Sequence, residues 1–221
     1  MAGGWTMSMM WMPMAGRGWL SSSLVFATMW LLMMVAMMLP SALPMLSIYE
    51  KTTRFRGDQH VGLATWFLGA GYFGVWLVFG LVAYAFGIGV ARAAMASEVV
   101  SRAIPAACGA SLIIAGAYQM TPLKAACLKH CVDPLHLIAR HLDAGSRGAF
   151  ALGVHHGAFC AACCWSLMLV QLVLGVMNLA AMVAVALVIA AEKLLPLGPQ
   201  IARGVGIFCI AAGAALTAQT L

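Results

Sequence analysis

Long runs of apolar residues, parted by short polar stretches that carry most of the charge, dominate this chain. The runs fall at about 24–46, 62–88, 103–121, 150–174, 176–191 and 203–221. A helix that crosses a bilayer needs roughly 20 mostly apolar residues, and only the fifth run is clearly short of that. None of the runs alternates apolar and polar positions as a barrel strand does. In lipid, every backbone amide must find its partner within a helix or a closed barrel. The pattern therefore predicts an all-α polytopic transmembrane helical bundle of six spans. Gly175 and Asn178 mark a tight turn between the fourth and fifth spans, which could form one hairpin.

Composition sharpens this reading. Hydrophobic residues make up 64% and charged residues 8% of the 221 positions, against about 25% charged in soluble domains. No polar segment is long enough to build a soluble domain. The expectation is a single integral membrane domain over 1–221, with an outward-facing Met/Trp-rich segment at 1–23. Spans one to three occupy 24–121, an inner Cys/His loop 122–149, and spans four to six 150–221. The first span, longer than a signal-peptide core and without a charged n-region before it, is expected to be retained.

Charge sets the expected orientation. Lys51, Arg54, Arg56, Lys124, Lys129, Arg140, Arg147, Lys193 and Arg203 fall in the first, third and fifth loops, whereas only Arg17, Arg92 and Arg102 fall on the other side. Basic residues accumulate in cytoplasmic loops, so both termini are expected outside the cytoplasm, in a bacterial inner membrane. The net charge of +6 belongs to helix ends facing the lipid bilayer and does not point to nucleic acid. Glu50–Lys51 and Glu192–Lys193, at predicted inner ends, read as anchors or as partners for another helix. Gly153 and Gly157 have the small-residue spacing of close helix contacts. Pro40 and Pro44 are expected to break or kink the first span, freeing carbonyls that Ser41 or a neighbouring helix could engage.

The chemistry lies in the cysteines. Five of the seven fall in two groups, "CLKHC" at 127–131 and "CAACC" at 160–164. On a helix, Cys127 and Cys131 share a face, with His130 beside them, and Cys160 shares one with Cys163 and Cys164. His156 lies one turn earlier, next to His155, and Met168 and Gln171 extend the same stripe. Thiolate and imidazole ligands favour Cu(I) or Zn(II) over Mg or Ca, and the spacing fits no iron–sulfur pattern. The expected metal ligands are Cys127, Cys131, Cys160, Cys163 and Cys164, with His130, His155 and His156 completing the shell and Asp133 available behind His130. Cys108 and Cys209 stand alone and read as packing. One difficulty is depth. Cys160 to Cys164 lie about 15–20 Å into their span at 1.5 Å per residue, so Cys127 and Cys131 must dip inward or the histidines must bridge.

Methionine adds a second soft donor. Met7, Met9, Met10, Met12 and Met14 crowd the N-terminal segment, between Trp5, Trp11 and Trp19. Met29, Met33 and Met37 form one line of the first span, and Met34 and Met38 form its neighbour. Thioethers select Cu(I), although Met is also flexible core filler. Together these donors outline a soft-ligand route for a cuprous ion.

The stretches "GWTMSMMWMPM", "MWLLMMVAMMLPSALPM", "YFGVW", "AYQMTPLKAACLKHCVDP", "GVHHGAFCAACCWSLM", "LGVMNLAAM" and "AEKLLP" resemble an uncharacterised bacterial family of predicted metal-binding integral membrane proteins. The cysteine motifs are the most specific part, and the resemblance implies metal binding at Cys127, Cys131, Cys160, Cys163 and Cys164. The reading favours binding over catalysis: no Ser–His–Asp arrangement, paired carboxylates or phosphate-binding loop is visible. The expected function is handling or transfer of a soft metal, copper first and zinc second. The alternatives are an accessory subunit of a larger membrane complex with a structural metal site, and a membrane thiol–disulfide oxidoreductase. A homo-oligomer is a further expectation.

Overall fold

The computed structural model describes residues 18–58, 60–132, 138, 145–176 and 178–219. The described residues form an all-α bundle. Its helices are α1 (Trp19–Phe55), α2 (Val61–Ala96), α3 (Glu98–Gln119), α4 (Pro122–Val132), α5 (Gly145–Leu174), α6 (Leu179–Leu194) and α7 (Gly198–Ala218). Five of them, α1, α2, α3, α5 and α7, are long and apolar enough to cross a membrane. The fifth predicted span becomes α6, which at 16 residues is shorter than the roughly 20 a full crossing needs. The long helices overrun their apolar runs because nothing at the polar ends stops them. α1 continues to Phe55 with Glu50 and Arg54 paired one turn apart at 2.8 Å.

Pro40 and Pro44 do not break α1, which runs unbroken for 37 residues. Proline removes one helical donor, and nearby hydroxyls can engage the carbonyls of such a stretch. Ser41 Oγ donates to Met38 O at 2.9 Å and Ser47 Oγ to Pro44 O at 3.0 Å. The α5–α6 hairpin forms as expected. Gly175 takes a left-handed φ of 102°, and Asn178 caps α6 by accepting from Ala181 N at 3.1 Å.

Small residues set the helix spacing. Gly153 and Gly157 of α5 face the α2 backbone at Leu68 and Tyr72, while Gly71 of α2 faces Phe150 O. α3 and α7 approach in the same way: a Cβ on Gly213 would stand 2.6 Å from Gly109 O, and one on Gly206 2.8 Å from Gly116 O. Such contacts fix helices against one another where no hydrophobic drive exists between them. Gly153→Ala, which would push a methyl into Leu68 O, is expected to cost about 1–3 kcal/mol, the usual range for overpacking. Gly69→Ala, with open space around it, should leave stability nearly unchanged. Thermal unfolding of the two variants in detergent tests the difference.

Candidate metal centre

α5 carries the centre. His156, Cys160, Cys163, Cys164, Leu167, Met168 and Gln171 are all buried on it, because their spacing follows the helical repeat and holds them on the face turned into the bundle. α4 supplies the second group. Thr121 and Pro122 end the turn after α3, and α4 lies back against α5. This packing resolves the depth difficulty for Cys131. It is buried, and its Sγ stands 3.7 Å from Cys163 Sγ, which is 3.3 Å from Cys164 Sγ. Cys160 interacts with the thiols of all three. The Cys163 thiol also donates to Cys160 O at 3.2 Å.

Two further groups close on Cys160. Tyr72 Oη of α2 stands 2.9 Å from its Sγ, and Lys193 Nζ of α6 donates to the same sulphur at 2.8 Å. Nothing in the residue pattern singles out Tyr72. Lys193 belonged to a pair that the sequence offered as a snorkelling anchor or as a partner for another helix, and it is a partner. Its neighbour Glu192 turns towards the α3–α4 junction, where Lys124 Nζ donates to Glu192 Oε2 at 2.6 Å and Gln119 Nε2 to Oε1 at 3.2 Å. Lys124 also donates to Gln119 Oε1. Both charged side chains of this pair are 1% exposed. A cleft lined by Gln119, Thr121, Lys124 and Arg203 opens beside it.

The remaining expected ligands divide. His156 is buried, its ring 5.7 Å from that of Tyr72, and its Nδ1 has no hydrogen-bond partner among the described residues. Cys127 is half-buried at the margin of the same core. His130 and His155 are exposed and stack on Phe159, with ring centroids 4.9 and 5.2 Å away, and His130 Nδ1 lies 2.9 Å from Ala126 O. Met168 is buried in the thiol-bearing core. Met7, Met9, Met10, Met12, Met14, Asp133, His136 and His141 lie outside the described residues.

Among the described residues, no set of three or more His, Cys, Asp or Glu is arranged as a ready-made ion site. The sulphurs meet one another and a lysine instead of a shared centre. Ligands ~2.3 Å from a tetrahedral ion stand ~3.8 Å apart, so the Cys131–Cys163 separation already matches ligation, while the Cys163–Cys164 contact would open slightly. The Cys131 thiol, on a helix outside the long apolar ones, is pushed above its ordinary pKa. Its hydrogen bond with Cys160 is the first cause and burial adds to it, against the pull of Cys163 and Lys193.

Residues 27–216 match the copper chaperone family PpoB2. The chain belongs to that family. No curated protein and no solved structure matches it. The match spans both cysteine groups and nearly all of the helical bundle, and the Met7–Met14 segment falls before it. Membership in a copper chaperone family points to metal handling and supports the metal-handling resemblance carried by the cysteine motifs.

Proposed function

We propose that this protein is a membrane-embedded copper chaperone that holds Cu(I) at Cys131, Cys160, Cys163 and Cys164, with His156 as an added nitrogen donor. The observation that carries the reading is the 3.7 Å approach of Cys131 on α4 to Cys163 on α5. Two segments far apart in sequence deliver soft donors to one buried place, and such donors prefer Cu(I). The unpartnered Nδ1 of His156, one helical turn from Cys160, is a buried polar atom of a kind that normally finds a partner.

Charge supports a monovalent ion. With two of the four thiols ionised and the other two still protonated, the site with a cuprous ion carries one net negative charge, and a buried charge is costly unless paired. Lys193, beside Cys160, supplies the compensating positive charge. In the metal-free protein the same ammonium holds the sulphur, and loading requires it to yield its contact to the ion. The long apolar helices support an exchange that takes place within a bilayer, and a bacterial inner membrane is part of the same proposal.

The test is X-ray absorption on anaerobically purified protein. Copper with a shell of sulphur scatterers and a minor nitrogen contribution is the expected result. Zinc in the same shell would change the cargo. A Cys131–Cys163 disulfide without metal would favour thiol–disulfide exchange over copper handling.

A further inference from the structure

α1 sorts its apolar side chains by chemistry, not by hydrophobicity alone. Met33, Met34, Met37, Met38 and Met45 are buried, with Met34 and Met38 at 0% exposure. No Leu, Ile or Val of α1 is buried; Leu20, Leu24, Val25, Leu32 and Leu43 are exposed and the rest are intermediate. Helices α2, α5 and α6 do not do this. Leu68, Leu152, Leu167, Val185 and Ile189 fill the core from α2, α5 and α6. Filling space alone would call for Leu or Ile, which have better-defined rotamers. Between Trp30 and Ser41, the inward face of α1 is thus given over to four thioethers, with aromatic side chains at Phe26, Trp30 and Tyr49 on either side.

That face leads to the thiols. Met33, Met34, Met37 and Met38 belong to the same buried cluster as Cys131, Cys160, Cys163, Cys164 and Met168, and Met29 packs against it. Met168 lies one turn before Gln171, whose buried Oε1 has no hydrogen-bond partner among the described residues.

We propose that Met33, Met34, Met37 and Met38 of α1, with Met168 of α5, form a second cuprous site beside the thiol centre. This inference rests on the copper reading of that centre and adds to it a neutral, proton-independent donor set. Thioethers bind Cu(I) as soft ligands and carry no proton to lose. The site therefore takes the ion without the deprotonation that thiols require. It holds copper more loosely than thiolates and suits an ion in transit.

The experiment is an anaerobic Cu(I) titration against a competing chelator, on the full-length protein in detergent. A Met33→Leu/Met34→Leu/Met37→Leu/Met38→Leu variant keeps volume and apolarity while removing the donors. It is expected to bind about one equivalent less than the unaltered protein and to keep the thiol-bound ion. A Cys131→Ser/Cys160→Ser/Cys163→Ser variant is expected to keep the thioether-bound ion, and to hold it under mild acid that strips the thiol site. Equal copper in the Met→Leu variant and the unaltered protein overturns the proposal. Loss of both ions together, with helicity retained, also overturns it, by showing a single shared site. Equal copper in the Cys→Ser variant and the unaltered protein sinks the thiol reading and leaves this one standing. Selenomethionine-substituted protein provides a second readout that does not depend on the folding of the Met→Leu variant. Selenium scatterers around copper are expected, and their absence overturns the second site.

Discussion

Replacing Cys160 and Cys163 together by serine is expected to abolish copper retention at the thiol centre. Cys160 is the hub, in contact with Tyr72 and Lys193 and interacting with the three other thiols. Cys163 is the bridge between Cys131 and Cys164. Serine conserves shape closely but offers a hard donor that does not suit a cuprous ion. Removing an outer-shell partner of a metal site typically costs ~10–100-fold in affinity, and loss of two direct ligands should exceed that. Cys108→Ser and Cys209→Ser are the controls. Cys209 packs α7 and Cys108 is half-buried on α3, and neither lies in the thiol-bearing core. Both controls should retain copper at the level of the unaltered protein. The measurement is a competitive Cu(I) titration, with circular dichroism to confirm that the helices persist. Copper bound equally tightly by the double variant would remove these residues from the ligand set. Copper affinity of the unaltered protein should fall on acidification, because protons compete with the ion for each thiolate.

Much of this arrangement was readable from the chain. The apolar runs specify helices directly, since lipid leaves the backbone few other ways to satisfy its amides. Gly153 and Gly157 announced a close helix contact, and Gly175 with Asn178 a hairpin turn. The two cysteine groups announced themselves by helical spacing, because one face of α5 must turn inward as a unit. Other features depend on three-dimensional packing that no spacing encodes. Cys127 and Cys131 share a face of α4 in sequence, yet only Cys131 is buried beside Cys163. His130 and His155 sit next to key cysteines or histidines in the chain, but their rings rest on Phe159. Tyr72 lies 88 positions from Cys160, and a tyrosine among the many aromatic residues of an apolar helix gives no local sign of its partner. The unbroken course of α1 through two prolines likewise depends on surroundings that a local rule does not include. The short α6 follows from a run of only 16 residues, which fits a hairpin partner packed against the bundle by one face, with Val185 and Ile189 buried and Val183 and Leu187 exposed.

Glu192→Gln is expected to destabilise the protein severely, and more than the loss of either exposed ion pair would. Removing one member of a buried pair costs about 3–5 kcal/mol, because the other charge is left without compensation. Here the stranded group is the Lys124 ammonium, 1% exposed and, among the described residues, otherwise held only by Gln119. By contrast, Glu50–Arg54 and Glu98–Arg102 lie on exposed helix surfaces, where such pairs contribute about 0–1 kcal/mol. Replacing both buried partners by apolar side chains, as in Lys124→Met/Glu192→Leu, should recover most of the loss, since an apolar substitute of similar volume often matches or exceeds a buried pair in stability. Thermal unfolding of the single and double variants in detergent measures this coupling directly. The consequence for copper follows from position. Lys124 lies in the first turn of α4 and Cys131 two turns later, while Glu192 precedes Lys193, which contacts Cys160. The pair therefore pins α4 and α6 in the register that brings Cys131 and Lys193 to the α5 thiols. Glu192→Gln should weaken copper binding as well as stability, whereas the double variant should regain stability first and copper only as far as α4 returns to its seat. A Glu192→Gln protein as stable as the unaltered one would mean that the ammonium had found another partner, and that this pair does not set the register of α4.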